Sequence, residues 1–362
     1  MIEQGPINLI ILGFGKIGQE LTRQVQLTAE RTGRNHPELR LFALADSRAF
    51  IHRESGLTPS KIQAANSLKQ QGASLQEMDG ALPLDQISSL FSANTILVDT
   101  TASSKTLPTL LHAATQKSGI VLANKIPLCQ PWPNVRSLFS YPLLKYEATV
   151  GAGLPVISTL KYLLYTGDTL ESITGCLSGT LGYLCSRLEE GTRFSQAVRD
   201  AHQLGYTEPD PRQDLGGMDV ARKAVILSRT AGIPAEISEL TVEPLFSPDL
   251  DHLSIERFLE EINQEDTRYA KMIEKATTDN KVPRYTASIT PEGIQIGLTL
   301  VEKTGSLGSL KGPDNFVSFR TQRYTPSPLI ISGPGAGVAV TAAGVFGDII
   351  ELGREIVKGG QA

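Results

Sequence analysis

Apolar positions along the chain fall into two textures. In the first 125 residues they come as short continuous runs: Ile7 to Leu12, Leu39 to Ala45, Thr95 to Val98, and IVLANK ending at Asn124-Lys125. Continuous apolar runs of this length are what strands buried on both faces require. Helically spaced segments lie between them, QELTRQVQLTAERT after the first run and LPTLLHAATQKSG before the fourth, and residues 54–90 read as an excursion of helix and loop. The order βαβ…βαβ predicts a parallel, doubly wound α/β sheet of Rossmann type over residues 1–147.

Beyond Pro131-Trp132-Pro133 the pattern changes. Leu170 to Leu177 reads as a strand, and Ser178-Gly179-Thr180 turns into the helix LGYLCSRLEEG. SQAVRDAHQLG reads as a second helix, MDVARKAVILSRTAG as a third stopped by Gly232 and Pro234, and residues 236–285 as mainly helical and charged. YTASITPEGIQIGLTLVEK alternates as two antiparallel strands about Pro291-Glu292-Gly293. These elements predict an α+β domain over residues 148–325 with a mixed or antiparallel sheet covered by helices. The closing stretch PLIISGPGAGVAVTAAGVFGDIIELGREI reads as strand, glycine turn and long buried helix, expected to return over residues 326–362 to the first domain.

Composition narrows the class. A chain of 362 residues suits two domains, and a net charge of -4 gives no reason to expect a nucleic-acid partner. Cys129, Cys176 and Cys185 have no paired or zinc-type spacing, which favours a reducing compartment over a disulfide framework. INLIILGFG is too short to span a bilayer, and no basic segment with an apolar core precedes it, so the cytoplasm is the expected location and no membrane partner is expected.

Candidate chemistry concentrates at a few places. Gly13-Phe14-Gly15-Lys16-Ile17-Gly18 follows a strand and opens a helix, the context in which this glycine spacing lets a pyrophosphate approach a helix N-terminus. Asp46, at the end of the second strand, fits the acid that holds the ribose hydroxyls of NAD, whereas Arg48 beside Ser47 suits a 2′-phosphate, so cofactor preference stays open. The small hydroxyl residues of Asp99-Thr100-Thr101-Ala102-Ser103-Ser104 fall where such sheets place their ligand crevice, as does Lys125. Tyr146 to Pro155 carries one carboxylate among glycines, a pattern shared by a domain hinge and by a carbonyl-rich cation site. In Gly205 to Lys223, GYTEPDPRQDLGGMDVARK, the acids Glu208, Asp210, Asp214 and Asp219 precede or face Lys223, and Asp219 and Lys223 share a helix face. A solvated salt bridge is the plain reading of that pair, and a preformed cup for a cationic or hydroxyl-bearing ligand is the sharper one.

GFGKIG, DTTASS, LANK, YEATVGAGLPVI, CLSGTLGY, the EPDP…DLGGMDVARK block and GPGAGVAVTAAGVFGDI together resemble homoserine dehydrogenase, in order and over nearly the whole chain. The chain resembles the short form, with room for neither a fused aspartokinase nor an ACT domain. The resemblance implies reversible interconversion of L-homoserine and L-aspartate 4-semialdehyde with NAD or NADP, and a homodimer through the second domain's sheet. It implies Lys223, Lys125 and Asp219 as the catalytic set, with Lys223 the proton donor. It implies substrate contacts from Gly179, Thr180, Glu208, Asp214 and Asp219, with Glu208 and Asp214 holding the amino group and Asp219 hydrogen-bonded to substrate or lysine. The implied cofactor site comprises Gly13, Phe14, Gly15, Lys16, Ile17, Gly18, Asp46, Ser47, Arg48, Thr100, Thr101, Ser103, Lys125, Gly335 and Gly337. A sodium-type site is implied at Glu147 with the carbonyls of Val150, Ala152 and Leu154. Two departures stand out: LANK replaces the commoner TPNK, so Ala123 removes a rigidifying proline, and CLSGTLGY lacks the commoner asparagines, at Ser178 and Gly182.

Overall fold

The computed structural model describes residues 5–31 and 37–359. Two compact units emerge, one from residues up to Gly153 together with those from Ala336 onward, the other from Leu154–Gly335. Residues 32–36, in the linker RTGRNHPEL that sets the spacing to Asp46 and at the end of the first predicted helix, lie outside the described residues.

The first unit is built on a seven-stranded sheet in the order β4-β3-β2-β1-β5-β6-β7. Its parallel core is β1 (Ile7–Leu12), β2 (Leu39–Ala45), β5 (Thr95–Asp99), β6 (Gly119–Leu122) and β7 (Leu144–Lys145). Every residue of β5 and β6 is buried, as the unbroken apolar runs demand. Beyond β2 the sheet departs from the expected all-parallel form: β3 (Ala49–His52) and β4 (Leu82–Pro83) add an antiparallel edge. Four and two residues are too short to show a period, so the pattern predicts neither. The helices of this part of the chain are α1 (Lys16–Arg31), α2 (Pro59–Gln70), α3 (Leu107–Thr115), α4 (Trp132–Phe139) and the single turn α5 (Ala148–Gly151). Strand order reverses between β1 and β5, so the loops after these two strands flank the switch point at which such sheets bind ligands.

The second unit holds a six-stranded sheet in the order β13-β12-β8-β10-β11-β9, antiparallel except between β9 and β11. Its strands are β8 (Leu170–Cys176), β9 (Thr241–Val242), β10 (Lys281–Thr290), β11 (Gly293–Glu302), β12 (Asp314–Thr321) and β13 (Leu329–Pro334). The helices are α6 (Val156–Tyr165), α7 (Gly179–Glu189), α8 (Phe194–Gln203), α9 (Arg212–Leu215), α10 (Met218–Thr230), α11 (Ile255–Glu261) and α12 (Asp266–Thr278), of which α7, α10 and α12 pack on β10. Arg284 on β10, 2% exposed, donates to the carbonyls of Leu307, Gly308 and Leu310 and to Glu189. It thereby fixes the loop that brings Pro313 against Gly179, where a Cβ would lie 3.1 Å from the Pro313 carbonyl oxygen.

The last segment corrects the expected boundary at residue 326. Strand β13 pairs with β12 through the register Asp314↔Pro334 to Phe319↔Leu329 and stays in the second sheet. Only α13 (Val338–Gly359) belongs to the first unit. It packs on α1, β5, β6 and β7 and buries Ala342, Val345, Ile349 and Leu352 completely. Helical spacing of these four accounts for the one-sided burial, where composition alone suggests a helix buried all round.

Candidate active site

In the first unit the three motif glycines do different work. Gly13 has φ +99, and a Cβ there would lie 2.7 Å from Thr101 Cγ2. At Gly18 a Cβ would lie 2.5 Å from the Gly13 carbonyl oxygen, so α1 meets the turn only because this side chain is absent. Gly15 is exposed and has open space where its Cβ would be, which leaves the start of α1 clear for a bulky anion. Lys16 and Ile17 lie in the first turn of α1, whose N–H groups have no acceptor within a helix. Phe14 differs from expectation: its side chain is buried in the core and its N–H goes to the Ala45 carbonyl, so it anchors the turn rather than facing a ligand.

Asp46 stands at the end of β2 where a ribose-binding acid belongs, but its carboxylate turns inward. It accepts the N–H groups of Arg48, Ala49 and Leu75, the Ser74 hydroxyl and, at 3.0 Å, the Lys69 ammonium. Burial pushes this carboxyl up, but the Leu75 and Arg48 N–H groups, Lys69 and the Ala49 N–H outweigh it and bring it to about 2. The ribose role therefore meets a carboxylate already saturated by the β2–β3 turn and by residues 69–75. Ser47 and Arg48 are exposed at the tip of the β2–β3 turn.

The loops after β5 and β6 are knitted together beneath the glycine turn. Thr100 donates its hydroxyl to the Gly13 carbonyl at 2.7 Å, and the Thr101 hydroxyl oxygen accepts the Ser103 N–H. Asp99 is fully buried, and burial pushes its carboxyl up. It accepts the Thr101 N–H and the side-chain amide of Asn124. Strand β6 ends at Leu122, so Lys125 rides on the loop beyond it rather than on the strand tip. For Asn124 the one signal in the sequence is that an asparagine beside a strand end favours a turn.

In the second unit the acid–lysine stretch folds into the single turn α9 and then α10. Gly217 starts α10 with φ +71, and a Cβ there would collide with the Tyr285 hydroxyl. Lys223 is 8% exposed; its Nζ lies 2.9 Å from Asp219 Oδ2 and donates to the Leu177 carbonyl at 2.6 Å, just beyond the end of β8. Ser178 caps α7 by accepting the Leu181 N–H. Thr180 donates its hydroxyl to the Tyr206 carbonyl at 2.6 Å and lies 3.2 Å from Asp214 Oδ1. The other Asp214 oxygen accepts the Glu208 N–H at 2.8 Å, and burial pushes this carboxyl up. Asp214 thus braces the loop that presents the exposed Glu208. Asp210 leaves the expected cup: both its oxygens pair with Arg212, which also donates to the Asp251 and Leu253 carbonyls. The carbonyls of Leu177 and Tyr206 had no sequence signal, because main-chain acceptors have no residue signature.

Glu147 immediately precedes α5, and its N–H is accepted by Asp348 of α13, whose carboxyl burial pushes up to about 8. Ala152 ends that turn at φ +56, and its carbonyl faces Gly344 so closely that a Cβ there would collide. Val150 lies within α5, and Leu154 opens the second unit with its carbonyl accepting the Val156 N–H. Among the described residues no cluster of three or more His, Cys, Asp or Glu is able to hold a metal ion, so a cation here would rest on one carboxylate and carbonyls. Gly335 and Gly337 part company: Gly335 is buried against Asn315 of β12, while Gly337, exposed at φ +121, precedes α13. At Gly335 the position a side chain would take is filled by the Asn315 amide, so only its main chain is open to contact. No helix among the described residues is long and apolar enough to cross a membrane.

A family model described as homoserine dehydrogenase matches residues 155–350. The Schizosaccharomyces pombe homoserine dehydrogenase is 36% identical over 371 residues, covering 97% of this chain and 96% of that protein. The Haemophilus influenzae bifunctional aspartokinase/homoserine dehydrogenase is 34% identical over 356 residues, covering 95% of this chain but 42% of that protein. The chain thus spans less than half the length of the bifunctional relatives it matches. Among solved structures, a Candida auris protein of unknown function superposes with a TM-score of 0.86 at 33% identity, covering 98% of this chain and 99% of that one.

Proposed function

The chain belongs to the homoserine dehydrogenase family, and from that premise we propose that it interconverts L-homoserine and L-aspartate 4-semialdehyde with NADP or NAD. The observation that carries this reading is the ammonium of Lys223, buried and held between Asp219 and the Leu177 carbonyl. Reducing an aldehyde requires a proton for the oxygen as it gains negative charge, and a positioned ammonium both donates that proton and stabilises the charge beforehand. Asp219 and the Leu177 carbonyl orient Lys223 toward that task. Lys125 adds a second positive charge to the reading. Glu208, its loop braced by Asp214 and Thr180, takes the substrate's amino group, and Gly179 lies at the α7 N-terminus, which favours the carboxylate.

NAD(P), when bound, supplies or accepts the hydride. The residues present suit it: Gly15 leaves the α1 N-terminus open, and Thr100 and Thr101 brace the turn from beneath. Sequestration of Asp46 and exposure of Ser47 and Arg48 support the 2′-phosphorylated cofactor. A sodium-type cation held by Glu147 and neighbouring carbonyls, a homodimer through the second unit's sheet and a cytoplasmic location complete the reading. The deciding experiment follows NAD(P)H absorbance with L-homoserine at alkaline pH. Turnover is expected with both cofactors and a higher kcat/KM with NADP; folded protein that turns over neither refutes the activity.

A further inference from the structure

Lys125 rides on the loop beyond β6, where Ala123 does not fix φ as a proline does. The structure shows what constrains the loop instead. Asn124 is 3% exposed, and its contacts fall on both sides of Lys125. Upstream, its N–H and that of Ala123 donate to the Asp99 carbonyl at 3.2 and 2.9 Å. Its Nδ2 faces four acceptors: Asp99 Oδ2 at 3.1 Å, Thr101 Oγ1 at 3.0 Å, the Ser103 carbonyl at 2.8 Å and Thr106 Oγ1 at 3.4 Å. Downstream, its Oδ1 accepts the Ile126 N–H at 3.1 Å, closing a turn across Lys125. The Lys125 carbonyl then accepts the Leu128 N–H at 3.1 Å. The main chain on either side of Lys125 is therefore tied to a buried carboxylate under the glycine turn.

We infer that Asn124, anchored on Asp99, is a positioning residue that sets where the Lys125 ammonium stands; this rests on the reading of Lys125 as part of the dehydrogenase site. An apolar replacement leaves Asp99 without its side-chain amide donor and frees the Ile126 N–H, so of the upstream ties only the main-chain bonds to the Asp99 carbonyl remain and the side-chain tie across Lys125 is lost. Displacing a charged group by about 1 Å is enough to cost on the order of a hundredfold in rate.

A double-mutant cycle on kcat with L-homoserine tests this, using Asn124→Ala, Lys125→Ala and the pair. Asn124→Ala alone is expected to lower kcat about 10- to 100-fold. In the Lys125→Ala background the same change is expected to cost less than about twofold, since the group it positions is gone. A second readout uses reductively 13C-methylated protein. The Lys125 resonance, assigned by its loss in Lys125→Ala, is expected to shift in Asn124→Ala while the other lysine resonances stay in place. If Asn124→Ala does not fold, Asn124→Ser serves, since its hydroxyl still reaches the Ile126 N–H but not Asp99 or Ser103. Costs that multiply in the double variant, or an unmoved Lys125 resonance, overturn the positioning role and leave the dehydrogenase reading intact. Unchanged turnover in Lys125→Ala removes Lys125 from the site and overturns the positioning role with it.

Discussion

At the scale of single residues, environment decides which acids and lysines are free to act. Lys223 holds its ammonium against one carboxylate and one carbonyl, so Lys223→Ala is expected to lower turnover by two or more orders of magnitude. NADP affinity, read by cofactor fluorescence, is expected to change less than about twofold, because general-acid loss acts on the chemical step. Near-normal turnover removes Lys223 from the mechanism. Asp46 behaves in the opposite way. Its carboxyl lies at about 2 in the folded protein against an ordinary 3.8, so it binds its proton less readily folded than unfolded. Its stabilisation, ~2 kcal/mol, is therefore complete above pH ~4 and is lost as pH falls toward 2. Urea midpoints measured from pH 2 to 5 are expected to rise with pH more steeply for the native chain than for Asp46→Asn. The same variant is expected to keep the NAD-to-NADP ratio of kcat/KM, since the carboxylate ties the β2–β3 turn to residues 69–75; a change of preference of tenfold or more returns it to the ribose.

At the scale of elements, α10 shows how a glycine permits a site. Gly217 combines a left-handed φ with contact to Tyr285, Cζ of which would lie 3.0 Å from an added Cβ. Gly217→Ala is expected to cost about 2–3 kcal/mol in urea unfolding, from backbone strain and overpacking together. Tyr285→Phe is expected to restore part of that loss, since the hydroxyl is the nearest atom, but not the part due to φ. No recovery at all argues that backbone strain is the whole effect. The elements also show which patterns are legible. Strands β1, β2 and β5 announce themselves because both faces are buried. By contrast β3, β4, β7 and β9 are two to four residues long and gain their strand geometry only from a neighbour. Strand β12 has no legible alternation although all eight of its residues pair with β8 or β13, because burial on both faces blurs DNFVSFRT.

At the scale of the whole molecule, the first unit is discontinuous and the second is not. Helix α13 covers β5, β6 and β7 and contributes four fully buried side chains to the first unit's core. A chain ending at Gly335 is therefore expected to lose NADP binding, measured by cofactor fluorescence quenching, because the sheet that positions the glycine turn loses a covering helix. Retained affinity in the truncated chain shows that the turn is held by β1, β2 and α1 alone. The small residues of α13 are part of this design: at Gly344 and Gly353, added Cβ atoms would press on Ala152 and on Pro37.

The sequence by itself determined the parallel core of the first sheet, the glycine turn, the β10–β11 hairpin and the Asp219–Lys223 pair. Each depends on spacing within one segment, and local periodicity records local geometry. Only the tertiary structure decided that Asp46 turns inward, that Asp210 belongs to Arg212, that Asp214 braces a loop, and that Asn124 brackets Lys125. Most of these partners are main-chain groups or side chains brought there by a different segment, and even Arg212, two residues from Asp210, is held in place by the Asp251 and Leu253 carbonyls. Hydrogen-bond saturation is a property of neighbours in space, so no run of residue types carries it.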